Sequence, residues 1–280
     1  MTTIALVTDS SSDLPQDLIA KYDITVVPVV VRFDGETYFD NELSREEFWR
    51  RVERTPPHTS GPPLGVFIAA FQKLVERGAH VLCLTLTGRH SNVFSSAWSA
   101  AKEFGDHVTV CDSQSISWGI GWQVIAAAEA AAKGLPLEQV LQVVQNVRSR
   151  VSIQLVLDTV SFVRRGGRAD HFIGVIDKAA RTLNIKPIIT FTAGEMKLVS
   201  LSRTWERGVR RIMSEFVQKA PLEALAVGHT LRRERAEQVA DELASETGFP
   251  RAQIRIFEPG VVISAHSGPG MLAVAALPRA

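Results

Sequence analysis

The order of apolar runs and helical segments is the feature that most constrains the fold of this chain. Apolar or β-branched runs at residues 4–8, 80–86 and 108–111 each precede a segment with helical spacing. Strands that alternate with helices favour a parallel sheet, and ligands bind such sheets at the carboxyl ends of the strands. The segments that follow these three runs are rich in Ser, Thr and Asp. We therefore expect a polar binding edge at that end of the sheet.

The second half of the chain has a different pattern, which begins near residue 150. A length of 280 residues allows two domains. We predict an α/β protein with a parallel-sheet domain over residues 1–155 and a second α/β domain with a mixed sheet over residues 156–280. In the second domain, residues 164–168 predict a tight basic turn and residues 185–191 predict a strand. Pro187 lacks an N–H donor, so this strand is expected to lie at an edge or to carry a bulge.

Local signals predict individual elements in the first half. Residues 25–33 are largely β-branched and apolar and predict one strand, and Asp34-Gly35 predicts a hairpin turn after it. Ser44 with Glu47 three residues later is the pattern of a capping box, which predicts a helix over residues 45–54.

Three hydroxyl-bearing segments are the candidate site. We name residues 59–63 the first hydroxyl segment, residues 87–92 the second and residues 264–270 the third. Prolines before and inside the first segment favour a stiff loop, because proline fixes φ and removes a donor. Ser91 precedes a predicted helix, where it would cap the helix and where an anion is also favoured. The sequence therefore predicts that the three segments face one anionic group.

Charge and cysteine content exclude several classes of function. A net charge of +1 gives no basic excess for nucleic acid, and the two cysteines stand in apolar runs, where small core residues are expected.

Asp9 and Asp112 end predicted strands and could hold Mg²⁺, but hydrogen bonds to neighbouring loops are the preferred interpretation. We predict no metal and no cofactor. The absence of a signal-peptide pattern and of a long apolar run favours a cytoplasmic protein.

A serine hydrolase is the alternative chemistry. Ser91 or Ser267 with His266 and an aspartate could form a triad, yet the chain has no GxSxG pattern. A glycine-rich turn at residues 268–270 could also bind an anion through backbone N–H groups, although it matches no phosphate-binding fingerprint. Binding is therefore favoured over catalysis.

The motifs occur in the order and spacing of a known family. The chain resembles the DegV family, the bacterial fatty-acid-binding proteins that include the substrate-presenting subunits of fatty acid kinase. The matching residues are Val7 to Pro15, Thr59-Ser60 with Pro62, Ser91 with Ser96-Ala97, Asp112-Ser113, Arg165 to Arg168, Asn184 to Ile188, and His266 to Gly270.

The resemblance implies a function and a set of site residues. It implies a non-catalytic carrier with a long-chain fatty acid, such as palmitate or oleate, in a hydrophobic tunnel between or beside two α/β domains. The carboxylate would be held by Thr59, Ser60, Ser91 and His266, with Arg203 and Arg168 supporting the head group or its transfer. The expected tunnel-lining residues are Phe172, Ile173, Ile176 and Met196.

The resemblance also implies partners and leaves alternatives open. A family member presents its fatty acid to a fatty acid kinase, which makes the acyl phosphate for phospholipid synthesis, and transient contact with a membrane surface is compatible with this role. A carrier or sensor without a kinase is the alternative. The chain departs from the family pattern at Gly61, where glutamine is usual, and at Asn92 and Val93, where glycine and threonine are usual. We therefore expect the contacts around the carboxylate to differ from those typical of the family.

Overall fold

The computed structural model describes residues 3–167, 173–176 and 185–279, and these form two compact units. The first unit contains the chain up to Ser149 and the returning segment Gly260–Val262. The second unit contains Arg150–Pro259 and the chain from Ile263 onward.

The domain boundary predicted after residue 155 falls inside a strand, Ser152–Val156. The division between the two compact units precedes that strand. Its apolar sequence resembles the strands of the first half, and its pairing with strands of the second unit is what assigns it there.

The first unit is built from short strands and longer helices. In chain order these are β1 (Ile4–Asp9), α1 (Gln16–Lys21), β2 (Thr25–Val27), β3 (Val30–Phe33), β4 (Glu36–Phe39), α2 (Arg45–Val52), β5 (His58–Ser60), α3 (Leu64–Val75), β6 (His80–Thr85), α4 (Val93–Ala101), β7 (Val108–Asp112), α5 (Trp118–Ala132) and α6 (Leu137–Arg150), which ends at the unit boundary.

The parallel sheet predicted for the first unit is confirmed. Within the described residues its strand order is β2-β1-β6-β7, and every neighbouring pair is parallel. A separate antiparallel sheet has the order β4-β3-β5. The prediction of one strand over residues 25–33 was wrong, because the chain leaves the parallel sheet at Pro28, which has no N–H to donate, and β3 joins the second sheet.

Two local predictions in this unit are confirmed. Asp34 and Gly35 have φ angles of 49° and 85° and join β3 to β4 as a hairpin. The Ser44 side chain accepts a hydrogen bond from the Glu47 backbone N–H at 3.1 Å and so caps α2. The Glu47 carboxylate pairs with arginines of its own helix, so only one half of the capping box is confirmed.

The second unit combines a mixed sheet with helices. In chain order its elements are β8 (Ser152–Val156), α7 (Ser161–Gly166), β9 (Lys186–Thr192), β10 (Glu195–Ser202), α8 (Trp205–Val217), β11 (Leu222–His229), α9 (Arg233–Thr247), β12 (Arg255–Phe257), α10 (Val261–Ser267), whose first two residues belong to the first unit, and β13 (Leu272–Pro278). Residues 173–176 are also helical.

The mixed sheet is confirmed, but the place predicted for the strand with Pro187 was wrong. The strand order over the described residues is β10-β9-β8-β13-β11-β12, in which only β11 and β12 pair in parallel. β9 is therefore an interior strand. Pro187 is tolerated because it stands at the start of β9, where its carbonyl accepts from the Leu157 N–H at 3.0 Å. The irregularity lies on the partner strand, between Leu198 and Ser200.

Buried apolar side chains hold each unit together. In the first unit α5 and α6 pack on the parallel sheet through Leu82, Leu84, Ile120, Val124 and Val144. In the second unit α8 and α9 pack on the mixed sheet through Val209, Ile212, Phe216, Val239 and Val274. Burial of such side chains contributes roughly 1.5–3 kcal/mol each.

Candidate functional site

The first hydroxyl segment begins in a strand. Thr59 and Ser60 lie in β5 and pair with Val31 and Val30 of β3, so the prediction of a loop at these two residues was wrong. Both side chains are half-buried. Because successive side chains of a strand point to opposite faces, strand geometry favours one of the two hydroxyls, rather than both, at any single ligand group.

The second hydroxyl segment ends at a helix N-terminus, as predicted. Ser91 is half-buried, and its Oγ accepts a hydrogen bond from the Val93 N–H at 3.3 Å, at the start of α4. A hydroxyl that accepts one hydrogen bond keeps its own hydrogen to donate. The helix N-terminus adds partial positive charge at this point. This corner of the first unit is therefore suited to an anion.

One hydrogen bond brings the first two segments together. The Gly61 backbone N–H donates to Asn92 Oδ1 at 3.1 Å. Thr59 stands two residues before the donor, and Ser91 stands one residue before the acceptor. The fold of the first unit thus joins two of the three segments that the sequence predicted.

Two carboxylates, one buried and one half-buried, fix the loops at the carboxyl ends of β1 and β6. Asp9 accepts from the Ser11 N–H at 2.9 Å and from the Leu86 N–H at 2.7 Å, and burial raises the pKa of Asp9. Asp112 accepts from the Gly88 N–H at 3.2 Å. The preferred interpretation of both aspartates as loop anchors is confirmed. Within the described residues, no cluster of His, Cys, Asp and Glu could hold a metal ion.

Sequence reasoning missed a second pair of carboxylate anchors in the first unit. Asp13 accepts from the Gly260 N–H at 2.7 Å, and Asp40 accepts from the Val261 N–H at 2.9 Å. Burial raises both pKa values, that of Asp13 to about 7. These bonds hold the segment Gly260–Val262, which belongs to the first unit. No sequence pattern joins residues so far apart, and the positive φ of Asp13, 52°, becomes visible only in the structure.

The third hydroxyl segment belongs to the second unit and starts as a helix. Ser264, His266 and Ser267 lie in α10 rather than in the predicted loop, and His266 is half-buried on the last turn. A Cβ built on Gly166 would collide with His266 Nδ1, so the ring packs directly on the backbone there. The prediction of a basic turn over residues 164–168 was wrong for residues 164–166, because these residues end helix α7. The close contact with His266 explains why residue 166 is a glycine.

The predicted arginines have different positions. Arg203 is exposed and stands between β10 and α8. Its neighbour Trp205 donates through Nε1 to the Gly270 carbonyl at 2.7 Å, which ties this part of the second unit to the third hydroxyl segment. Arg168 lies outside the described residues.

Three of the four residues expected to line a tunnel share one apolar cluster in the second unit. Ile176 is fully buried and Met196 nearly so, and Ile173 packs against the same cluster. The cluster also includes Leu155 and Ile189 of the mixed sheet. Phe172 lies outside the described residues. Whether the three contact an acyl chain stays a prediction.

The helices of the described residues are too short or too polar to span a membrane. None of the helices there combines the length and the apolar character that a bilayer crossing requires.

Comparison with known proteins gives one consistent family. Residues 3–279 match the profile of the family described as "Uncharacterised protein, DegV family". A DegV domain-containing protein of Deinococcus radiodurans is 31% identical over 287 residues, with 99% of each chain covered.

Solved structures agree with the family profile. A DegV family protein from Thermus thermophilus, whose structure is described as one of fatty-acid binding, has a TM-score of 0.87 at 32% identity, with coverage of 99% of this chain and 100% of that chain. DegV from Bacillus subtilis, described as a fatty acid binding protein, has a TM-score of 0.87 at 26% identity, with 100% of each chain covered.

Proposed function

The chain belongs to the DegV family, and on that premise we propose that it binds a long-chain fatty acid such as palmitate or oleate. The observation that carries the proposal is the hydrogen-bonded junction of the first two hydroxyl segments at the N-terminus of α4. The fatty-acid-binding relative from Thermus thermophilus, at 32% identity over nearly the whole chain, supports the same ligand class.

The chemistry of a carboxylate explains the choice of groups. A carboxylate is costly to remove from water unless hydrogen bonds replace those of the solvent. Thr59 and Ser91 would donate their hydroxyl hydrogens, and the N-terminus of α4 would add favourable charge. Neutral hydroxyls leave one oxygen lone pair accessible to an attacking or transferring group, whereas a bidentate arginine would occupy both oxygens. We propose His266 as a further head-group contact, and Ser60 as the alternative to Thr59, because the two side chains point to opposite faces of β5.

The acyl chain requires an apolar environment. Each buried CH₂ contributes about 0.8 kcal/mol, so a long chain contributes on the order of 10 kcal/mol before the cost of association. We propose that Ile173, Ile176 and Met196, which belong to or pack against one apolar cluster, contact the chain.

We further propose that a kinase partner phosphorylates the bound carboxylate. The sequence contains no P-loop or other phosphate-binding fingerprint, so the phosphoryl group would come from ATP on the partner. Arg203, exposed beside the Trp205 contact to the third hydroxyl segment, would support the transfer. Arg203→Ala is therefore expected to retain fatty-acid binding and to slow acyl-phosphate formation with a purified fatty acid kinase and ATP. A variant that loses binding instead would contradict this role.

A hydrolase that uses Ser267 with His266 is less well supported by the geometry. Ser267 and His266 are consecutive residues of α10, and consecutive side chains of a helix do not face each other. A carrier or sensor without a kinase remains the alternative, and the kinase assay separates it from the proposal.

The first test is native mass spectrometry of the purified protein, followed by lipid analysis after denaturation. One bound species with the mass of a fatty acid is the expected result. A protein that holds no lipid and also fails to take up added palmitate or oleate would refute the proposed function.

A further inference from the structure

Asn92 precedes α4 but does not cap it. An asparagine in this position usually accepts a hydrogen bond from a backbone N–H of the first helical turn. Asn92 has φ −86° and ψ 8°, and its side chain makes no such bond. Ser91 instead accepts from the Val93 N–H, and Asn92 Oδ1 accepts from the Gly61 N–H. The side chain of Asn92 therefore serves the neighbouring strand rather than its own helix.

The backbone of Asn92 is itself well anchored. Its carbonyl oxygen accepts from Ser95 Oγ at 2.9 Å and from the Ser96 N–H at 3.0 Å, both in the first turn of α4. The side chain thus projects from an anchored backbone through only two torsions, which limits the positions that Oδ1 can reach.

Gly61 is the matched partner of Asn92. A Cβ at residue 61 would lie 2.5 Å from Asn92 Oδ1 and 3.2 Å from Asn92 Cγ. Gly61 is not among the residues with positive φ, so the backbone conformation does not demand glycine. A side chain at residue 61 would displace the exposed Asn92 amide from its hydrogen bond. The two residues are therefore complementary in shape as well as hydrogen-bonded.

We propose that Asn92 is a positioning residue that sets the spacing between the hydroxyls of Thr59 and Ser91. The inference rests on the proposed function, in which those hydroxyls hold a carboxylate. A carboxylate gains most when both donors are held at the spacing of its two oxygens, because no freedom is then lost on binding. A ligand with a single terminal hydroxyl depends much less on that spacing.

The test compares palmitate with hexadecan-1-ol, which has the same chain length and no carboxylate. Affinities are measured for the wild type, Asn92→Gly, Gly61→Ala and the double variant. Loss of one exposed hydrogen bond predicts that Asn92→Gly binds palmitate about two- to ten-fold more weakly and hexadecanol nearly as well as the wild type. Gly61→Ala should weaken palmitate binding in the wild type and add no further loss to Asn92→Gly, since the clashing side chain is then absent.

Ser99→Gly is the matched control, because it places a glycine on the exposed side of the same helix without touching the junction. It is expected to lower stability and to leave the ratio of the two affinities unchanged. Equal losses for palmitate and hexadecanol in Asn92→Gly, or additive losses in the double variant, would overturn the inference. A wild-type protein that takes up neither ligand overturns the proposed function and, with it, this role of Asn92.

Discussion

Replacing Ser91 with alanine tests two roles of this hydroxyl, one observed in the structure and one proposed. The oxygen accepts a hydrogen bond from the Val93 N–H at the start of α4, and its hydrogen is proposed to bind the fatty-acid carboxylate. The first role contributes to folding stability and the second to ligand affinity. Ser91→Ala removes both at once and leaves the backbone unchanged.

The two losses have different sizes. Replacing a capping hydroxyl costs about 0.5–2 kcal/mol, and the bond length of 3.3 Å places Ser91 at the low end, near 0.5 kcal/mol. A hydrogen bond to a charged group contributes about 1.5–3 kcal/mol. Since Ser91 is half-buried rather than buried, the lower value applies, and Kd for palmitate should rise roughly ten-fold.

Ser44→Ala is the matched control. Ser44 caps α2 by accepting from the Glu47 N–H three residues on, at 3.1 Å, whereas Ser91 accepts from an N–H two residues on, and Ser44 belongs to none of the hydroxyl segments. Urea unfolding and palmitate titration of both variants should show a stability loss in each and an affinity loss only in Ser91→Ala. If Ser91→Ala unfolds more easily but binds palmitate within two-fold of the wild type, Ser91 is only a helix cap and the head-group role is refuted.

Three further predictions concern stability and the second unit. Burial raises the pKa of Asp13 from 3.8 to about 7 in the folded protein. The free energy of unfolding should therefore fall as the pH rises from 4 to 7, by at most about 1.4 kcal/mol per pH unit, and urea titrations of Asp13→Asn should show a flatter slope. Gly166→Ala should displace the His266 ring and shift its NMR signals, whereas Gly65→Ala, which has open space, should leave them unchanged. Phe216→Ala should cost about 3–5 kcal/mol in urea unfolding, because the ring is fully buried among apolar side chains, and a loss below 1 kcal/mol would contradict that packing.

Much of the secondary structure could be predicted because it depends on neighbours in the chain. The alternation of apolar runs and helices was sufficient for the parallel sheet of the first unit, and Asp34-Gly35 was sufficient for its hairpin. The hydroxyl-rich motifs led to the family, and the family profile covers residues 3–279. These signals act over a few residues or as a fixed order of motifs, so one sequence carries them.

The tertiary structure decided which strands are neighbours and which loops meet. Pro28 divides an apparent single strand between two sheets, and Pro187 stands in an interior strand, because sheet membership depends on partners elsewhere in the chain. The Gly61–Asn92 bond joins residues 31 apart, and the Asp13–Gly260 bond joins residues 247 apart. Local propensity carries no information on such pairs. Only the closed fold, in which burial and hydrogen bonding select among many compatible chain paths, brings them together.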